Sequence, residues 1–335
     1  MGIIISDIEY HLPNILLTNT QIKKSHPSWD VDKISLKTGV YNRHISEQGE
    51  TAYDLSVHAV KKLLNNSNIR KEDIGGIIFC TQSPDYIMPS NSFLIHKEFN
   101  FPSNVWCFDY NLACSGYIYG LAIARGLLDT KMANHILLIN ADTYSKYINS
   151  DDRSTSLLFG DGSAASILTF CDEDSLLDIA LASDGSAYQS FYIPAGGIRT
   201  PYSDNTSIEI QDIVGNFKSK ENIHMDGKKV FNFISKTVPI QISNLLKKNN
   251  LEINDISQFI FHQASMFTID ALINTLGLDI SKCFINIENI GNTVSASIPI
   301  ALKNAIDQGK IKKGDIILLS GFGVGLSWGT TLLKF

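Results

Sequence analysis

Cysteine is scarce in this chain, and its placement excludes more than it suggests. Five cysteines stand among 335 residues: Cys80, Cys107, Cys114, Cys171 and Cys283, an odd and scattered set with no CxxC pair. That is neither a disulfide framework nor a zinc site, and it fits a reducing compartment. Basic residues are outnumbered, 28 Lys and Arg against 34 Asp and Glu, for a net charge of -6. No basic run interleaved with aromatics offsets the deficit, which argues against nucleic acid as a partner. No run of about 18 apolar residues offers a membrane span. The start, Met1 to Ser6, lacks the basic flank and long apolar core of a signal peptide, so a cytoplasmic protein is expected. The same residues match a myristoylation pattern, but a buried first strand ending before Leu12-Pro13 is the simpler reading. His11, His26, His44, His58, His96, His135 and His224 occur singly beside polar residues and read as surface. None has metal-ligand spacing, and no metal is expected.

What the chain does contain is alternation. Hydrophobic residues make up 44% of it and charged residues 19%, the balance of a soluble protein large enough for two domains or one fused core. Short apolar runs such as Ile77-Ile78-Phe79, Ile136-Leu137-Leu138-Ile139, Phe259-Ile260-Phe261 and Ile316-Ile317-Leu318-Leu319 read as buried strands. Amphipathic stretches, Thr51 to Leu64 and Val238 to Lys248 among them, lie between. The expected class is α/β.

The two halves also echo each other. Residues 111–139 and 289–319 each give a polar turn, a helix rich in small residues, an acidic helix end, a basic turn and a buried strand. With Asp129 laid on Asp307, Cys114 falls on Asn292. A second echo sets Glu72 to Cys80 against Asn254 to His262, so that Cys80 falls on His262 at a strand end. Two similar halves packed as a pseudo-dimer are therefore expected, covering 1–171 and 172–335. The turn-rich stretch of about 184–224 has no counterpart in the first half and reads as an insertion for specificity or a partner.

Three residues carry candidate chemistry. Cys114, in Asn-Leu-Ala-Cys-Ser-Gly, lies at the start of a helix, where the positive end of the macrodipole favours a thiolate. A packed core cysteine fits the same turn. His262 closes a buried strand in Phe261-His262-Gln263-Ala264, a place for a site residue or for a hydrogen-bonded core histidine. Asn292 lies in Gly291-Asn292-Thr293-Val294-Ser295-Ala296-Ser297, where helix capping is an alternative. The glycine-rich end, Gly321 to Gly329, is no dinucleotide fingerprint, because no βαβ unit with an acidic partner follows it. Its glycines suit a backbone that approaches a reacting atom closely.

Taken in order, the ACSG cysteine, the LFGDG turn, the HQA motif, GNT-x-SAS and the final GFG-x-G-x-SWG resemble the β-ketoacyl-acyl-carrier-protein synthase III family. The resemblance runs from Pro13 and Lys37-Thr38-Gly39 through to Phe335. It implies a thiolase-like, five-layered αβαβα fold built from two pseudo-repeated halves, and a homodimer. It implies that Cys114 takes an acyl group as a thioester while His262 and Asn292 bind the carbonyl of a malonyl-type extender. The N–H of Cys114, with one from Gly323, Val324 or Gly325, would hold the other oxyanion. No metal or redox cofactor is implied; acyl-CoA or acyl-carrier-protein thioesters are the substrates and partners.

The chain departs from the family around the primer. In members that use coenzyme A primers a tryptophan stacks on the adenine and arginines hold the phosphates. Here Lys33 stands at the tryptophan's place, Lys37 replaces an arginine and only Arg153 matches; Trp29 would substitute if its loop shifted. After His262-Gln263-Ala264, the family's Asn-x-Arg becomes Ser265-Met266-Phe267, without the basic residue associated with carrier docking. Met88 matches the position from which a partner subunit floors the acyl pocket. The substrate-binding set is thus Lys37, Arg153, Ser265, Met88 and Trp29, and a specialised member of the family is expected. The rival expectations are an acyltransferase of this fold that makes an ester or amide without decarboxylation, and a non-catalytic partner subunit.

Overall fold

The computed structural model describes residues 2–171 and 175–335. The junction of the two halves expected at residue 172 lies outside the described residues.

Two sheets organise the chain. The first contains β1 (Gly2–His11), β2 (Ile74–Cys80), β3 (Trp106–Tyr110), β4 (His135–Asp142) and β5 (Gly162–Cys171), in the order β1-β5-β4-β2-β3. The second contains β6 (Leu176–Ser183), β7 (Gln258–Phe261), β8 (Ile316–Gly323) and β9 (Ser327–Lys334), in the order β7-β8-β9-β6. The designs match. In the first, β2 pairs in parallel with β4, and β4 and β1 flank β5 in antiparallel fashion. In the second, β7 pairs in parallel with β8, and β8 and β6 flank β9 in antiparallel fashion. Even β3 has an echo, a parallel bridge from Phe259 to Cys283 at the corresponding edge. The repeat read from the residues is thus a repeat of topology.

Period-two alternation then sorts side chains between layers. In β4, Ile136 and Leu138 face one apolar cluster while Leu137 and Ile139 face another. In β8, Ile317 and Leu319 face the first of these clusters and Leu318 faces a third. The shared central cluster is filled by α2 (Gly116–Asp129), through Tyr117, Ile118, Leu121, Ala124 and Leu128. It is completed by α5 (Ser297–Asp307), through Ile298, Ala301, Leu302 and Ala305. α1 (Ala52–Asn66) covers the outer face of the first sheet with Ala59, Val60 and Leu63. α3 (Gly227–Lys248) and α4 (Met266–Leu276) cover the second sheet with Val238, Ile242, Ile269 and Leu272. Helix, sheet, helix, sheet, helix is the αβαβα order of the thiolase-like fold. Since strands buried on both faces leave no polar side, β4 reads as one apolar run and is buried from Ile136 to Asp142.

This layering places the site. The helices of the central layer, α2 and α5, begin beside one another, and their leading turns carry Cys114 and Asn292. Residues 184–224 fold over this end as turns and short strand pairs, Phe191–Tyr192 with His224–Met225 and Ile210–Gln211 with Phe217–Lys218.

Candidate active site

A cavity of about 510 Å³ brings Cys114, His262 and Asn292 together, with Phe322, Gly323 and Ser265 among its other lining residues. All three polar residues are buried: Cys114 is 4% exposed, His262 1% and Asn292 3%.

Cys114 sits in the turn before α2, whose N-cap is Ser115. The backbone of β8 and its hairpin presses against it. A Cβ built on Gly323 would stand 2.8 Å from Cys114 Sγ, and one on Gly321 would stand 2.6 Å from the Cys114 carbonyl oxygen. Real Cβ atoms do not approach so closely, so both glycines are required by contact. The N–H groups of Val324 and of Cys114 itself donate toward the sulfur. Despite these donors and the helix start, the thiol is pushed up to about 12, first by burial and then by the charge of Asp142. The expected thiolate-favouring position is therefore corrected. The helix terminus is present, but the sulfur has lost the water that would solvate its charge.

His262 follows β7, held by its N–H on the Ser320 carbonyl at 2.8 Å. Its Nδ1 shares a 2.6 Å hydrogen bond with Ser297 Oγ at the start of α5. The ring meets Phe322 edge-on, with centroids 5.8 Å apart. Burial pulls its pKa down to about 3, so the imidazole is neutral at any ordinary pH.

Asn292 is fixed from three sides. Its N–H donates to Leu158 O and its carbonyl accepts from Gly160 N, both at 3.0 Å, which docks the GNT loop onto the LFGDG turn. Its side-chain Oδ1 accepts from Val294 N at 3.0 Å. Val294 pays for that bond with a φ of 54°, a left-handed conformation that a β-branched residue rarely adopts. With Oδ1 occupied, the amide presents its N–H side, whose nearest partner is the Ala264 carbonyl at a long 3.4 Å.

Of the residues assigned to substrate, only Ser265 lines this cavity, as the N-cap of α4. Phe267 lines it too and is 53% exposed, its ring 4.7 Å from that of Phe231. Lys37 lies in the last turn of the helix Val31–Thr38 and is exposed. Trp29 packs with Ile22, Val31 and Leu157 and stacks on His26 at 4.0 Å. His26 in turn meets Asp151 at 2.8 Å. The Arg153 guanidinium donates to the Val214 carbonyl of the insertion. Met88 is 80% exposed at the surface. His11, expected at the surface, is instead half-buried against His58, with ring centroids 4.5 Å apart.

Sequence reasoning passed over Asp142, Ser297, Gln82 and Tyr144. Asp142, at the end of β4, is fully buried and accepts from Gln82 N at 2.8 Å and from Ser295 N and Oγ at 3.1 and 2.5 Å. Burial raises its pKa to about 7. Its only sequence signal is a carboxylate closing an apolar strand.

Comparison with known proteins shows the family. Residues 108–185 match the family described as 3-Oxoacyl-[acyl-carrier-protein (ACP)] synthase III, and residues 246–335 match its C-terminal part. The β-ketoacyl-[acyl-carrier-protein] synthase III of Clostridium perfringens is 37% identical over 97% of this chain and 96% of its own. That of Caldanaerobacter subterraneus is also 37% identical, over 97% of this chain and 95% of its own. A crystal structure of a 3-oxoacyl-(acyl-carrier-protein) synthase III superimposes with a TM-score of 0.97 at 35% identity, covering all of both chains. The Aquifex aeolicus enzyme of that name superimposes at 0.86 with 32% identity, again over all of both chains.

Proposed function

Because the chain belongs to the β-ketoacyl-acyl-carrier-protein synthase III family, a family of condensing acyltransferases, we propose that Cys114 carries the primer and that His262 and Asn292 activate the extender. The observation that carries this division is the cavity in which one buried nucleophile faces two neutral hydrogen-bonding side chains.

Cys114 sulfur attacks the primer thioester, its proton leaves with the departing thiol, and an acyl-cysteine forms. The N–H groups of Cys114 and of Val324, in the Gly323-Val324-Gly325 turn, point toward the sulfur and would hold the oxyanion of that step. A malonyl thioester then enters. Its carboxylate leaves as CO2, and the electron pair of the broken C–C bond becomes an enolate whose oxygen is held by His262 and Asn292. The enolate carbon attacks the acyl carbon, the C–S bond to Cys114 breaks, the freed sulfur takes one proton from water to restore the thiol, and a 3-oxoacyl thioester is released.

Both donors suit their task by being neutral. An imidazolium is excluded by burial, and the scheme requires Ser297 Oγ to donate to Nδ1, which sets the proton on Nε2. Val294 N–H occupies the Asn292 oxygen and so directs its amide N–H outward. The scheme runs without a resident cofactor.

The thioester carrier is acyl carrier protein or coenzyme A. Trp29 and Arg153 are engaged within the chain, so a coenzyme A primer would have to displace Val214 from Arg153. A homodimer is the assembly we assign. Ile87, 95% exposed, and Met88 form with Tyr86 and Phe93 an apolar patch that water would otherwise cover. Free thiols at Cys80, Cys107, Cys114 and Cys283 fit a cytoplasmic setting.

The roles are tested by splitting the half-reactions. Cys114→Ala abolishes acylation seen by intact mass, whereas His262→Ala and Asn292→Ala keep acylation and lose condensation. Loss of acylation in both of the latter would show that the division of roles is wrong.

A further inference from the structure

A second cavity, of about 340 Å³, lies against the Val324–Gly325 turn, and Phe191 lines both it and the first. Cys114 lines the first cavity and packs in one apolar cluster with Tyr144, Phe191 and Val324, which line the second. The first cavity holds the Cys114 sulfur, with Phe231 and Phe267 packed together on its wall. The second lies against the Val324 turn, whose N–H reaches the Cys114 sulfur. Its chemistry is unexpected for a hydrocarbon tail, because a polar relay borders it. Tyr144 donates to Gln82 Oε1 at 2.5 Å, and Gln82 Nε2 donates to Asn111 Oδ1 at 2.8 Å. Tyr147, Tyr188 and Tyr192 stand on the same walls.

We propose that the primer carried on Cys114 is a short acyl group with a neutral polar substituent, a hydroxyl or a carbonyl, bound by the Tyr144–Gln82–Asn111 relay. This rests on the nucleophile reading of Cys114 and deepens it. The relay is held in place, since Gln82 N–H is fixed by Asp142 and Tyr144 is wedged against Phe159 and Phe191. Yet its capacity is not spent. One hydrogen on Gln82 Nε2, both on Asn111 Nδ2 and a lone pair on Tyr144 Oη lie outside the two bonds. A hydroxyl, donor and acceptor at once, uses both kinds. An all-carbon tail would strip water from these groups and return nothing. A carboxylate is disfavoured for another reason: among the described residues the lining has no Lys, Arg or His to pair with it.

The test loads the intact chain with N-acetylcysteamine thioesters of butyrate, 3-hydroxybutyrate and 4-hydroxybutyrate and follows acyl-Cys114 by mass. At least one hydroxyacyl donor should load about tenfold or more faster than butyryl, the ratio one buried hydrogen-bonding group supports. Gln82→Leu should erase that preference and raise butyryl loading. Asn111 is exposed, so Asn111→Ala probes the relay even where Gln82→Leu fails to fold, and it should reduce the ratio severalfold. Butyryl loading as fast as both hydroxyacyl donors overturns the polar pocket while leaving the nucleophile in place. Loading by none of the three, at Cys114 or at all, overturns the nucleophile reading and the pocket together.

Discussion

At Cys114 two effects oppose each other, a helix start with two N–H donors that favours the thiolate and burial beside Asp142 that disfavours it. Burial wins, and the proton stays on sulfur until substrate arrives. Below its raised pKa the thiolate fraction grows tenfold per pH unit. Alkylation of Cys114 by iodoacetamide should therefore climb about tenfold per unit from pH 7 to 9 with no plateau. A plateau below pH 8 would show that the helix terminus dominates. In the proposed mechanism Ser297 is a positioning residue, acting through its hydrogen bond with His262. Ser297→Ala should lower the condensation rate at saturating extender about tenfold, the worth of one lost hydrogen bond, while acylation stays intact and Ser297→Thr restores the rate. At this scale the sequence was a good guide to identity and a poor one to state. Cys114, His262 and Asn292 stood out because each lies in a motif whose neighbours constrain it. The ionisation of Cys114 and His262 depends on solvent removed by Gly323, Phe322 and Phe191, which no local pattern announces.

Secondary elements act here as rulers. α2 and α5 are held in the central layer by residues such as Leu121 and Ile298, which sets the distance between their leading turns. Leu121→Ala removes side-chain volume from a fully buried position and should cost about 2–5 kcal/mol, read as a lower urea midpoint at unchanged slope. The β8–β9 hairpin works at shorter range. Gly323→Ala sets a methyl within 2.8 Å of the sulfur and should cut acylation by about a hundredfold while the fold persists. The echo between residues 111–139 and 289–319 made these helices and their following strands legible, because both copies meet the same packing demand. The insertion was legible only as an insertion. That Phe191 would wall the cavity, or that Val214 would occupy Arg153, depends on loop paths that turn residues permit without specifying. The Tyr144–Gln82–Asn111 relay was hidden for a related reason: its members come from three separate strand ends.

For the molecule as a whole, assembly and pH response follow from surface and interior. The patch at Tyr86, Ile87, Met88 and Phe93 predicts sedimentation at twice the 37.1 kDa chain mass, and Ile87→Asp should return monomers. Sedimentation of the parent chain as a monomer at micromolar concentration would remove the dimer from the account. Asp142 gives the interior its own signature. Its folded pKa of about 7 lies above the unfolded value of 3.8, so the unfolded chain binds fewer protons between those limits and this group's stability contribution falls as pH rises through them. Replacing it with Asn should flatten the decline in unfolding free energy between pH 4.5 and 7, measured by urea denaturation; an unchanged slope would mean that Asp142 is charged when folded. Above these properties stands the reaction itself. Acyl-Cys114, isolated free of excess primer, is mixed with malonyl thioester in a single turnover while CO2 and thioester products are counted. One CO2 and one 3-oxoacyl thioester for each acyl group leaving Cys114 is the result expected; loss of the acyl group to an ester or amide without CO2 would contradict it.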